Sequence, residues 1–144
     1  MTYYYKESGL RNVWLLNGYE LVKTSQGESV VIYDLEGLHK VIGEALCSKK
    51  RLTGTEFRFL RKELELSQGG LGLLLGVSDQ AIAKWEKTGK VPKTADRFIR
   101  LIYLEQVRGN VEIKNTIELI NDTDRQDNEK IVAEESAGHW KVAA

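Results

Sequence analysis

Few side chains in this sequence are of the types that carry out covalent chemistry. Cys47 is the only cysteine, so no internal disulfide can form and a thiolate zinc site lacks its ligands. The two histidines, His39 and His139, lie far apart in the chain. No glycine-rich phosphate loop follows a strand, no histidine stands beside a carboxylate cluster, and Cys47 has no base near it, so the expectation is no enzyme, no cofactor and no metal. Cys47 closes an apolar helical pattern and reads as a small buried hydrophobe. What the chain does concentrate is positive charge. Overall it is neutral, with 21 basic and 21 acidic residues. Residues 49 to 100, however, hold twelve basic side chains against six acids, a net +6 that leaves −6 for the rest. That segregation is the electrostatic footprint of a segment that pairs with nucleic-acid phosphates.

The stretch that must position these charges runs from Ser67 to Pro92, SQGGLGLLLGVSDQAIAKWEKTGKVP. Ser67 is an N-cap, with Leu71 and Leu75 one helical turn apart behind it. Gly76 stops this first helix where a left-handed residue is needed. Val77 turns back toward the core, and Ser78 caps a second helix running to Lys87, with Ile82 and Trp85 on one face. Gly89 and Pro92 end it. A helix, a glycine-containing turn and a helix with short polar residues at its exposed start make a helix-turn-helix.

Leu66-Ser67-Gln68, Leu71-Gly72, Leu75-Gly76-Val77-Ser78, Ile82 and Trp85-Glu86 resemble the xenobiotic-response-element family of bacterial and phage regulators, which includes the lambda-type repressors and Cro. The resemblance covers residues 53 to 104. The wider run LTGTEFRFLRKELELSQ with its continuation resembles the DNA-binding half of MqsA-like (YgiT-type) antitoxins, although the zinc-binding cysteine pairs of those proteins are absent. The resemblance implies that helix 78–87 enters the major groove of double-stranded DNA and that the chain works as a homodimeric repressor on a palindrome. It implies base-reading or adjacent roles for Ser78, Asp79, Gln80 and Lys84. The chemistry fits: glutamine bonds adenine N6 and N7, and lysine donates to guanine O6 and N7. Asp79 either accepts from cytosine N4 or caps the helix it starts. Gln68 is implied to bond a phosphate or to brace the recognition helix. The phosphate candidates are Arg58, Arg61, Lys62, Lys87, Lys90 and Lys93, while Arg97 and Arg100 pair with nearby acids or join them. Trp85 is expected against the core, and Leu73 and Leu74 at an interface. Gly69 and Gly70 are poor helix formers with no packing reason visible, whereas Gly72 is implied to let the two helices approach.

Around this unit the chain reads as α+β. Val13 to Leu16 and Tyr19 to Val22 flank Asn17-Gly18, which predicts a hairpin there. Ser25 to Glu28 is a second turn, Ser29 to Tyr33 a third strand, and Tyr3-Tyr4-Tyr5 a short edge strand whose aromatics pack on the sheet. Asp34 caps a helix to about Ser48 with Leu38, Val41, Ile42, Ala45 and Leu46 inward and His39 outward. Lys49-Lys50-Arg51 is a basic connector, either a solvated hinge or a phosphate contact. Thr53 to Glu56 forms a capping box, with Phe57, Leu60 and Leu64 inward behind it. Ala95 to Gln106 is a helix with Phe98, Leu101 and Ile102 inward, and a last helix starts at Asn110 or Glu112. The expected organisation is therefore an N-terminal β-rich domain with one helix at 1–48, a basic linker at 49–52, the DNA-binding domain at 53–120 and a flexible acidic tail at 121–144. Neither a membrane span nor a leader is expected, which suits a cytoplasmic protein. Two alternatives to a plain repressor are an antitoxin that neutralises a toxin through its N-terminal domain and a repressor that senses a small ligand.

Overall fold

The computed structural model describes residues 2–121 and 131–143. Its architecture is α+β, with small antiparallel strand pairs before and after a helical body. In chain order come β1 (Tyr3–Tyr4), a 3₁₀ turn (Lys6–Ser8), β2 (Trp14–Leu15), β3 (Tyr19–Thr24) and β4 (Gly27–Ile32). The helices α1 (Leu35–Cys47), α2 (Gly54–Glu63), α3 (Gln68–Leu75), α4 (Asp79–Thr88), α5 (Lys93–Val107) and α6 (Val111–Asn121) follow, and then β5 (Ala133–Ser136) and β6 (His139–Val142).

The strand pairing differs from the expectation. The hairpin predicted across Asn17-Gly18 does not form; β2 pairs with β1, and β3 pairs with β4 from Tyr19 opposite Ile32 to Thr24 opposite Gly27. Two considerations favour this pattern. The Ser25-Gln26 loop joins β3 and β4 directly, and buried Leu15 draws β2 onto the core rather than onto β3. Gly18 still takes a positive φ of 79°, but it serves as the corner between the two strand pairs, where its carbonyl accepts from the Tyr33 N–H at 2.9 Å. The Tyr3 and Tyr19 rings, 5.2 Å apart between centroids, pack across that corner.

The helices begin where the capping residues dictate. Asp34, itself at φ 49°, accepts from the Gly37 N–H at 3.1 Å and opens α1. The capping box of α2 is complete: Glu56 N–H donates to Thr53 Oγ1 at 3.3 Å, and Thr53 N–H donates to Glu56 Oε1 at 2.8 Å. Buried apolar residues from Tyr5 to Ile117 form one cluster, and Leu52 within the connector is 1% exposed. The segment expected as a linker is thus built into a core shared by residues on both sides of it. At the α1–α5 crossing a methyl on Gly43 would collide with the Tyr103 ring; burial there pushes the Tyr103 hydroxyl up to about 12.

Several inward faces are rotated from the prediction. On α5 the buried residues are Ala95, Asp96, Ile99, Ile102 and Tyr103, whereas Phe98 and Leu101 face outward. On α1, Ile42 and Leu46 are buried, but Val41 and Ala45 are exposed. The stretch expected to lack structure, 121–130, lies outside the described residues apart from the backbone of Asn121. The remainder of the predicted tail forms a hairpin instead, β5 against β6, turned by Ala137 and Gly138 at positive φ. This is the two-residue turn whose twist matches antiparallel strands. Its side chains are exposed, Trp140 included. Among the described residues no helix is long and apolar enough to cross a membrane.

Candidate nucleic-acid interface

The two helices of the expected DNA-reading unit form with both caps in place. Ser67 Oγ accepts from Gly70 N–H at 2.9 Å, and Ser78 Oγ accepts from Ala81 N–H at 3.1 Å. Between them Gly76 sits at φ 75°, and Val77 N–H donates to the Gly72 carbonyl at 2.9 Å. A Cβ on Gly72 would lie 2.6 Å from the Val77 carbonyl oxygen, so the turn closes only over a hydrogen at that position. A Cβ on Gly69, by contrast, would meet only the Ser67 Oγ, at an ordinary contact distance of 3.8 Å. Trp85 packs edge-on to Phe57, with ring centroids 6.2 Å apart, as a core residue.

A buried ion pair fixes the orientation of α4. Arg61 Nε donates to Glu86 Oε2 at 2.6 Å, its Nη2 donates to Oε1 at 3.1 Å, and its Nη1 donates to the Leu66 carbonyl at 2.9 Å. The two side chains are 8% and 6% exposed. Gln68 Nε2 adds a third donor to the carboxylate at 3.1 Å. Residues from α2, α3 and α4 therefore meet on one carboxylate through charge-assisted hydrogen bonds in fork geometry. This corrects the expectation for Arg61: it is no surface phosphate contact, because its charge is already matched and its guanidinium is enclosed. Helical spacing carried the signal, since Arg61 lies four residues after Phe57 and three before Leu64, on the apolar face of α2. For Gln68 the bracing alternative is the one observed.

On the outer side of α4, Ser78, Asp79, Gln80 and Lys84 are all exposed. Asp79 Oδ1 accepts from the Gln80 N–H at 2.9 Å, so the aspartate acts at the helix start. Among the described residues the side-chain ends of Gln80 and Lys84 have no partner, and these are the two groups able to make paired contacts with base edges. Arg58, Lys62, Lys87, Lys90 and Lys93 are likewise exposed and without an acidic partner among the described residues. Arg100 pairs with Asp96, whereas Arg97 is exposed.

A second polar cluster escaped the sequence reading. His39, expected to face solvent, is half-buried: its Nε2 lies 2.8 Å from Tyr5 Oη and its Nδ1 3.1 Å from Glu63 Oε2. A carboxylate only accepts, so Nδ1 donates to Glu63, while Nε2 bonds the Tyr5 hydroxyl, which burial above all pushes up from its ordinary range. The chain ties the N-terminal segment to α1 and α2. Only the side chain of His39 pointed to it, because its partners are 34 and 24 residues away in sequence. Cys47 is half-buried with its thiol pushed up by burial. Among the described residues no group of three or more His, Cys, Asp or Glu side chains is gathered for a metal ion. No family model matches the chain, and no curated protein or solved structure matches it.

Proposed function

We propose that this chain is a sequence-specific regulator of transcription that binds double-stranded DNA through α4 and represses by occluding a promoter. The observation that carries the reading is a helix held by the Arg61–Glu86 pair whose exposed Gln80 and Lys84 have no side-chain partner among the described residues, on a chain whose Arg58, Lys62, Lys87, Lys90 and Lys93 are also exposed without an acidic partner among them. An amide and an ammonium one turn apart on one helix face suit base edges, and exposed cations elsewhere on the same unit suit phosphates. The helix start, with Ser78 and Asp79, is the end that approaches the bases in this mode of docking.

One such helix spans only a few base pairs, so selectivity over a genome calls for two copies about one DNA turn, ~34 Å, apart. A homodimer on a palindrome follows, with the exposed apolar residues Leu73, Phe98 and Leu101 as the surface that joins the copies. In this reading the chain is a binding protein and not an enzyme, needs no cofactor, and works in the cytoplasm where its DNA is. Steric exclusion of polymerase is sufficient for repression.

The test is footprinting on the DNA upstream of the gene, at two salt concentrations, with wild type, Gln80→Ala and Lys84→Ala. A protected palindrome that fades with salt and is lost in both variants supports the proposal. Specific capture of a neighbouring protein without protection of any DNA would overturn it and leave the helix pair as a protein-interaction surface.

A further inference from the structure

A second concentration of positive charge lies at the start of α5. A cavity of about 540 Å³ opens there between the connector and the first turns of the helix, lined by Lys50, Arg51, Lys93, Asp96, Arg97 and Arg100 among others. Its floor is a built network. Arg100 pairs with Asp96 and donates through Nη1 to the Lys49 carbonyl, while Asp96 Oδ2 accepts from the Leu52 N–H at 2.7 Å. The clip holds the connector against α5 and uses up the negative charge of Asp96. Above it, Lys50, Arg51, Lys93 and Arg97 are exposed, and none has an acidic partner among the described residues. Four uncompensated cations converge on one concavity, a costly arrangement that an anion relieves. Helix α5 also starts at Pro92 without a side-chain cap, which leaves donors of its first turn at the rim.

We propose that this cavity binds a soluble ligand carrying two or three adjacent phosphoryl groups, such as a nucleoside di- or triphosphate. The charge count argues for more than one phosphoryl group, since a single phosphate dianion answers only half of the four cations. The shape argues for a soluble ligand: the volume falls in the range of small-molecule sites, roughly 300–1,000 Å³, and the cations surround a hollow, whereas a duplex offers its phosphates on a convex surface. Lys93 belongs both to this cavity and to the phosphate contacts proposed for DNA. A ligand seated in the cavity withdraws Lys93 from the duplex, so ligand and DNA oppose each other, reciprocally.

Sodium tripolyphosphate is the probe, titrated into the full chain at constant ionic strength and followed by calorimetry and thermal unfolding. The expected result is saturable binding with one site, a rise in Tm that sodium chloride at equal ionic strength does not produce, and a roughly tenfold loss of affinity in Lys50→Ala/Arg97→Ala. Both replaced residues are exposed, and an unchanged circular dichroism spectrum confirms that the variant folds. Arg51→Glu, a charge reversal on the connector side of the cavity, should weaken binding further. A Tm rise no larger than that given by chloride, or one retained in the double variant, overturns the proposal. A double variant that loses affinity for duplex DNA, when wild type shows no saturable tripolyphosphate binding, assigns these cations to the DNA backbone and overturns it too. The calorimetric arm contains no DNA, so its outcome is separate from that of the regulator reading.

Discussion

Arg61 offers the sharpest discrimination between a structural cation and one proposed to contact DNA, because its neighbour Arg58 on the same helix has the opposite surroundings. Replacing Arg61 by alanine removes both donors of the fork to Glu86 and the bond to the Leu66 carbonyl. The Glu86 carboxylate, 6% exposed, then keeps only Gln68 as a side-chain donor among the described residues. Breaking one side of a buried pair in this way costs about 3–5 kcal/mol. With a urea dependence of about 2 kcal/mol per molar, the unfolding midpoint falls by about 1.5–2.5 M. The salt dependence of DNA binding by the fraction that stays folded should not change, since no phosphate contact has been lost. Arg58→Ala should do the reverse. Its stability stays within about 0.5 kcal/mol of wild type, while the slope of log affinity against log salt becomes shallower by about 0.9. Between 50 and 200 mM salt that slope is worth about 3.5-fold in affinity per contact. Urea melts by circular dichroism and fluorescence-anisotropy titrations of an operator duplex at several salt concentrations measure both quantities. An Arg61→Ala midpoint within about 0.3 M of wild type, together with a shallower salt slope, would refute the assignment of Arg61 to the interior.

The glycines of α3 should separate in the same melts. Gly72→Ala, with its Cβ forced to 2.6 Å from the Val77 carbonyl, should lose about 1–3 kcal/mol, whereas Gly69→Ala, whose Cβ meets the Ser67 Oγ only at ordinary contact distance, should gain about 0.5 kcal/mol from helix propensity. Glu56 makes the acid limb of stability testable. Burial alone raises its carboxyl, but the Lys49 ammonium and the Thr53 N–H and hydroxyl outweigh that and hold it below its ordinary 4.5. The group therefore stabilises the fold fully above pH 4.5, and the contribution disappears as pH falls from there through the folded value. Glu56→Gln should be less stable at pH 6 and flatter between pH 5 and 3 than wild type, and parallel urea midpoints across that range would contradict the linkage.

What was legible in the sequence was what is local. Ser67, Gly76, Ser78 and the Thr53–Glu56 box each govern bonds spanning a few residues, so α2, α3 and α4 form where their capping residues place them. The misplaced features depend on distant partners. Asn17-Gly18 is a hairpin signal, yet its use was decided by the burial of Leu15 beneath the helices and by the competing Ser25-Gln26 loop. On α5, residues 98, 99 and 101 to 104 are all apolar or aromatic, so the helix offers two candidate inward stripes, and the helices packed on it, α1 with Gly43 opposite Tyr103 among them, select Ile99, Ile102 and Tyr103. His39 looked like a surface residue on its own helix because Tyr5 and Glu63 reach it from elsewhere. The final hairpin was missed for a different reason, since Ala137 occupies a left-handed turn position where asparagine or glycine is the usual signal. Within the candidate site, Gln80 and Lys84 were readable as outward residues, while Arg61 was misread by its charge when its spacing placed it inside.

The continuous core bears on how this chain can be cut and recombined. Ile42 and Leu46 of α1 and Leu15 of β2 share their burial with Ile99, Ile102 and Tyr103 of α5, and Leu52 lies between them. A fragment beginning at Thr53 would carry the whole surface proposed to face DNA yet leave that side of α5 bare to water, so the helix pair is not a cassette that can be transplanted alone. Any fusion or two-hybrid bait built from it needs residues 2–52 as well.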